Sequence, residues 1–105
     1  MKKNIQTAAR VIRSKNSGPF ELTMDIIFKN KKLFSQFKES NIINKKLIAK
    51  LYSIPQSDIL SIIYFEPSYA VKITIKRWFP SGHPGERDIY GAQHHAPLLD
   101  IEYEV

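Results

Sequence analysis

The sequence predicts an α+β two-layer sandwich, an antiparallel sheet with helices on one face. Three observations lead there. Apolar residues recur at helical spacing in a block between Pro19 and Ser53. From Tyr69 to Trp78 they alternate with polar residues at a period of two. The same period returns at the C-terminus with acidic partners. Helices gathered in one part of the chain and strands elsewhere pack as a helical layer on a sheet.

The elements follow in order. Residues 8–14, with Val11 and Ile12, are short and β-branched enough for a first strand. Lys15-Asn16-Ser17-Gly18 breaks the pattern, and Pro19 suits the first turn of a helix, where its missing N–H is no loss. Phe20, Met24, Ile27 and Phe28 then predict a helix over 19–29. Asn30 is placed to cap a second helix carrying Leu33, Phe34 and Phe37 inward. Asn44 is placed to cap a third, ending near Ser53, with Leu47, Ile48, Leu51 and Tyr52 on one side. Ile43 and Ile48 have the spacing of a hydrophobic staple.

Beyond Pro55 the run Asp58 to Phe65 is β-branched and aromatic with little alternation, which predicts a central strand buried on both faces. Glu66-Pro67-Ser68 is a turn. The next strand points Val71, Ile73 and Ile75 inward and Lys72, Thr74 and Lys76 outward. In the last strand Leu99, Ile101, Tyr103 and Val105 face in and Asp100, Glu102 and Glu104 face out. If these two strands are neighbours, each opposed charge pair contributes roughly 0.2–1 kcal/mol. The order resembles a ferredoxin-like fold with a long loop in place of its second crossover helix. No repeat or linker divides residues 1–105, so one domain is expected.

With 43% apolar and 25% charged residues, the composition excludes a disordered chain, collagen and a long coiled coil. The absence of cysteine excludes disulfides, thiolate nucleophiles and cysteine-based metal sites. No apolar stretch follows Met1-Lys2-Lys3-Asn4, so no secretory signal is predicted. The longest apolar run, Ile62–Phe65, is far short of the roughly 20 residues that span a bilayer. A cytoplasmic protein without membrane contact is expected. The formal charge of +6 is uneven: residues 29–50 hold seven lysines and one acid, while residues 80–105 hold five acids and one arginine. Because the lysines fall between the apolar helix positions, they are expected to face water, which argues against nucleic acid as the partner.

Two loops could carry chemistry. In Arg13-Ser14-Lys15-Asn16-Ser17-Gly18, the passage from a strand end into a helix N-terminus would favour an anion, with Arg13 and Lys15 adding charge. No Walker or dinucleotide glycine pattern is present, and a simple capped turn is the competing reading. The second loop, Phe79 to Pro97, holds all three His, three of the four Gly and three of the six Pro. Structureless loops beyond roughly 12–15 residues are uncommon in compact domains and are usually functional or disordered. Ile89 and Tyr90 do not suit a solvated tether, so an ordered binding loop or subunit contact is expected. Arg87 could clamp a carboxylate while Asp88 acts as base. A metal held by His83, Asp88 and a later histidine is a weaker reading. His94 and His95 are adjacent and point apart in extended chain, so no metal site is predicted.

At these loops a resemblance is visible. Val11 to Phe28, and Pro80 to Asp100 with its core Gly85-Glu86-Arg87-Asp88-Ile89-Tyr90-Gly91-Ala92-Gln93-His94-His95-Ala96-Pro97-Leu98-Leu99, resemble the two signatures of a small bacterial domain-of-unknown-function family. His94 departs from the glutamine expected there. Members of that family accompany, or are fused to, proteins similar to the acyclic terpene utilisation protein AtuA, and resemble their ferredoxin-like C-terminal domain. The resemblance implies an accessory subunit docking to an AtuA-like larger protein, with acyl-CoA or carboxylate as the ligand class. Asp88, Tyr90 and His95 would be the catalytic candidates, and Arg13, Ser14, Lys15, Asn16, Ser17, Gly18 and Arg87 would hold the ligand. A homo-oligomer is compatible with this reading, and no particular cofactor is implied. Two alternatives stand beside it: a free-standing lyase or isomerase with Asp88 or His95 as base, and a nucleic-acid-binding module.

Overall fold

The computed structural model describes residues 2–18, 20–76 and 96–104. In chain order these form β1 (Lys2–Asn4), β2 (Ala9–Gly18), β3 (Glu21–Phe28), α1 (Lys31–Glu39), α2 (Lys45–Tyr52), β4 (Ile59–Phe65), β5 (Ala70–Lys76) and β6 (Glu102–Glu104). The fold is the expected α+β sandwich. Four antiparallel strands run in the order β2-β3-β5-β4, and β1 pairs with β6 in a separate two-stranded sheet.

Both helices begin where the sequence places them. The Asn30 carboxamide oxygen accepts from the Leu33 N–H, and that of Asn44 accepts from the Leu47 N–H, each at 2.9 Å. Ile43 and Ile48 are both fully buried around the second cap, which is the staple. Helix α2 ends on Ser53 in the left-handed region, φ 54°. The helices cover one sheet face. Phe28 meets Phe37 at 4.6 Å between ring centroids and Phe34 at 6.3 Å, and the Tyr52 hydroxyl donates to Met24 Sδ at 2.8 Å. Leu22, Met24, Ile26, Val71 and Ile73 complete this face of the core.

Residues 21–28 are a strand, and the helix expected over 19–29 is absent from the described part of that span. Leu22, Met24, Ile26 and Phe28 are buried, while Glu21, Thr23, Asp25 and Ile27 point the other way. The same residues satisfy both periods, and pairing on two sides decides between them. β2 bonds along one edge of β3 and β5 along the other. Phe20, assigned to the apolar stripe of that helix, is half exposed.

Two further expectations change. β4 lies at a sheet edge rather than at the centre, and Leu60, Ile63 and Phe65 are each about half exposed. The C-terminal strand does not neighbour β5, because β3 and β4 fill both sides of it. It pairs instead with β1, setting Lys2 opposite Glu104 and Asn4 opposite Glu102. Its acidic residues therefore answer the N-terminus rather than Lys72 and Lys76. Asn4 Nδ2 donates to the Leu99 carbonyl at 2.7 Å, tying β1 to the turn before β6, and Gln36 Nε2 donates to that of Glu104 at 2.6 Å, tying β6 to α1.

β3, the helical block, β4 and β5 reproduce the β-α-β-β part of a ferredoxin-like unit, with β5 between β3 and β4. The edge beside β3, which a C-terminal strand would occupy in that fold, is filled by β2.

Candidate functional site

Among the described residues, no element covers the sheet face opposite the helices. Strand register arranges its side chains in rows across all four strands. Val11, Ile27, Ala70 and Phe65 form an apolar row, and Arg13, Asp25, Lys72 and Ile63 form a charged row ending in an apolar residue. Lys15, Thr23, Thr74 and Ser61 form a polar row. Rows arise because paired residues on adjacent strands point to the same face.

A shallow cleft of about 450 Å³ lies on this face. Arg13, Lys15, Lys72, Asp25 and Ser68 supply its polar lining, and Ile27, Ile63, Phe65 and Ala70 its apolar lining. Arg13 Nε donates to Asp25 Oδ2 at 3.4 Å, a long contact. The Asp25 side chain is only 13% exposed, whereas that of Arg13 is 62% exposed. Neither Lys15 nor Lys72 forms an ion pair among the described residues. With strands about 4.8 Å apart, the backbones at Arg13 and Lys72 stand roughly 10 Å apart with Asp25 between them. Three cations around one carboxylate leave net positive charge beside an apolar wall. Such a surface can take an anionic group that carries an apolar body.

The anion cradle read from residues 13–18 needed a helix N-terminus, and none exists there, since β2 continues to Gly18 and the chain turns back into β3. The segment divides by strand parity. Arg13 and Lys15 reach the open face, whereas Ser14 is buried and pairs in register with Met24 on the helical side. Asn16 stands opposite Leu22 and Gly18 opposite Glu21, at the hairpin end of β2 with Ser17. Arg87, Asp88, Tyr90 and His95 lie outside the described residues, as do His83, His94, Trp78 and nearly all of the 79–97 loop. The last residues of that loop enter a short 3-10 turn, Ala96–Asp100, whose Leu98 is fully buried.

Sequence reasoning missed Asp25, Ile27, Ile63 and Phe65 as cleft residues. For Asp25 and Ile27 the signal was the alternation 21-23-25-27, masked by an equally good helical spacing. The lysines of α1 and α2 are all exposed, as their positions between apolar residues required. Two tyrosines on the helical side have hydroxyls pushed up from the ordinary phenol range. Burial raises both Tyr52 and Tyr64. Among the described residues no three metal-ligating side chains gather, and no helix is long and apolar enough to cross a membrane.

Fold and site together define a small α+β domain with a cationic and partly apolar cleft on one sheet face. The chain belongs to the family described as "Domain of unknown function (DUF4387)", whose model matches residues 5–102. No curated protein and no solved structure matches it.

Proposed function

We propose that the protein is a small accessory subunit that docks to an AtuA-like larger protein and helps to form a site for an anionic acyl-CoA or carboxylate ligand. The observation that carries this reading is the cleft on the open sheet face. Arg13, Lys15 and Lys72 surround the one carboxylate of Asp25, and Ile27, Ile63 and Phe65 lie beside them. A carboxylate or phosphate would take the cationic side, and an aliphatic chain the apolar side. The partner comes from the resemblance of Val11 to Phe28 and Pro80 to Asp100 to a family that accompanies AtuA-like proteins. Arg87, Asp88, Tyr90 and His95 belong to the second of these signatures and are the candidates to complete the site.

The test has two arms. Co-expression with an AtuA-like protein should yield a stable complex in pull-down and gel filtration. Titration of that complex with octanoate and with octanoyl-CoA should show saturable binding that R13A and K72A each weaken. Failure of the complex to form removes the docking reading. Binding that ignores both substitutions removes the cleft from the ligand site.

A further inference from the structure

We propose that β4 is a dimerisation edge, at which a second copy of this chain adds its own β4 antiparallel about a two-fold axis. The proposal is independent of the ligand and docking reading above.

The sequence of β4, Ile-Leu-Ser-Ile-Ile-Tyr-Phe, is apolar on both faces and carries neither a charge nor a proline. That composition belongs to strands buried on both sides within a sheet. In one chain β4 is nevertheless terminal, with Leu60 48%, Ile63 52% and Phe65 53% exposed. Among the described residues nothing pairs with its outer edge.

Free edges present unpaired backbone groups, and monomeric sheets guard them with charges, prolines or bulges. The opposite edge of this same sheet is guarded. β2 carries Arg10, Arg13 and Lys15, with register shifts between Ala9 and Val11 and between Asn16 and Gly18. β4 has one shift, between Ile59 and Ser61, and no charge. Among the described residues the sheet defends one edge and leaves the other unpaired.

Charge selects the occupant. A chain of formal charge +6 meets another copy most favourably where like charges do not oppose. β2, β3 and β5 all carry charged residues, and β4 alone in the large sheet carries none. Antiparallel pairing about a two-fold axis sets this strand against itself, so the surface is its own complement. The product is a continuous eight-stranded sheet with α1 and α2 of both copies on one side. Ile63 and Phe65, at the end of the cleft nearest this edge, would bring the two clefts side by side.

Sedimentation of the purified full chain over a roughly hundredfold concentration range should show a monomer–dimer equilibrium. Ile63→Lys, at an exposed edge position, should raise the dissociation constant by about tenfold or more, since two ammonium groups would meet near the axis. Thr74→Lys, on the same face of an inner strand, should leave it unchanged. Circular dichroism confirms that both variants fold. Backbone amides within residues 59–65 should exchange more slowly with deuterium as concentration rises. A chain that stays monomeric overturns the proposal. A dimer whose 59–65 amides gain no protection, or one that Thr74→Lys weakens as much as Ile63→Lys, also overturns it. So does protection of β4 that comes only from a different protein.

Discussion

Arg13 on β2 reaches across to Asp25 on β3 through a 3.4 Å contact from Nε to Oδ2, and the pair sits at the floor of the open-face cleft. Arg13 is mostly solvated, so the contact contributes under about 1 kcal/mol to folding. Its consequence is electrostatic. Asp25 offsets part of the positive charge of Arg13, Lys15 and Lys72.

Removing that carboxylate should therefore favour an anion. Asp25→Asn is expected to tighten octanoate binding severalfold at low salt and to change thermal stability little. Arg13→Ala should weaken binding by a similar factor. Both effects should shrink as salt is raised, because exposed charges are screened over about 10 Å at 0.1 M ionic strength. Calorimetric titration at two salt concentrations measures this, and an Asp25→Asn protein that binds more weakly contradicts it.

Phe37 joins the helical layer to both sheets. It is fully buried, lies 4.6 Å from Phe28 and 5.0 Å from Tyr103 between ring centroids, and so links β3, α1 and β6. Phe37→Ala should cost about 3–5 kcal/mol, a large share of the stability of a domain this size. Urea denaturation followed by circular dichroism gives the value. A loss below about 1 kcal/mol would mean that the two sheets do not share this core.

Stability should fall in alkali. Tyr52 and Tyr64 have folded-state pKa values above the ordinary 10.0, chiefly through burial. A raised pKa contributes stability that is complete below the unfolded value and is lost as pH climbs from there toward the folded value. The melting temperature should thus decline above about pH 10, and Tyr52→Phe should flatten the decline. Melts between pH 8 and 11 (roughly one unit or more on either side of the phenol midpoint) test the sign. A steeper alkaline fall in Tyr52→Phe would reverse it.

Ser53 closes α2 at φ 54°, where its backbone N–H donates to the Ala49 and Lys50 carbonyls. A side chain in that region costs roughly 1–2 kcal/mol relative to right-handed backbone, and glycine avoids the cost. Ser53→Gly should stabilise the protein by about 0.5–1 kcal/mol. The same change at Tyr69, φ 52°, should destabilise it, because the Tyr69 ring packs on Phe34 at 6.1 Å. Paired denaturation curves separate the two.

The helix starts at Asn30 and Asn44 were legible because a cap depends on residues three positions apart. The inward set Val71, Ile73 and Ile75 was legible because no helix fits that spacing. Residues 21–28 were not, since Phe20, Met24, Ile27 and Phe28 fit a helix as well as Leu22, Met24, Ile26 and Phe28 fit a strand. Part of the proposed cleft inherited that ambiguity: Asp25 and Ile27 face it only if β3 is a strand. Arg13 and Lys15 were recognised as anion-binding candidates, though for a helix dipole that is not there.

By itself, then, the sequence determined what depends on near neighbours: two capped helices, the burial pattern of β5, the burial of Ile101 and Tyr103 near the C-terminus and the α+β class. Only the tertiary structure decided who pairs with whom. Hydrogen bonding from both sides made residues 21–28 a strand, β2 took the edge beside β3, and the acidic C-terminus went to Lys2–Asn4. The physical reason is that periodicity is a property of one segment, whereas a strand acquires its place only from the backbone groups of another.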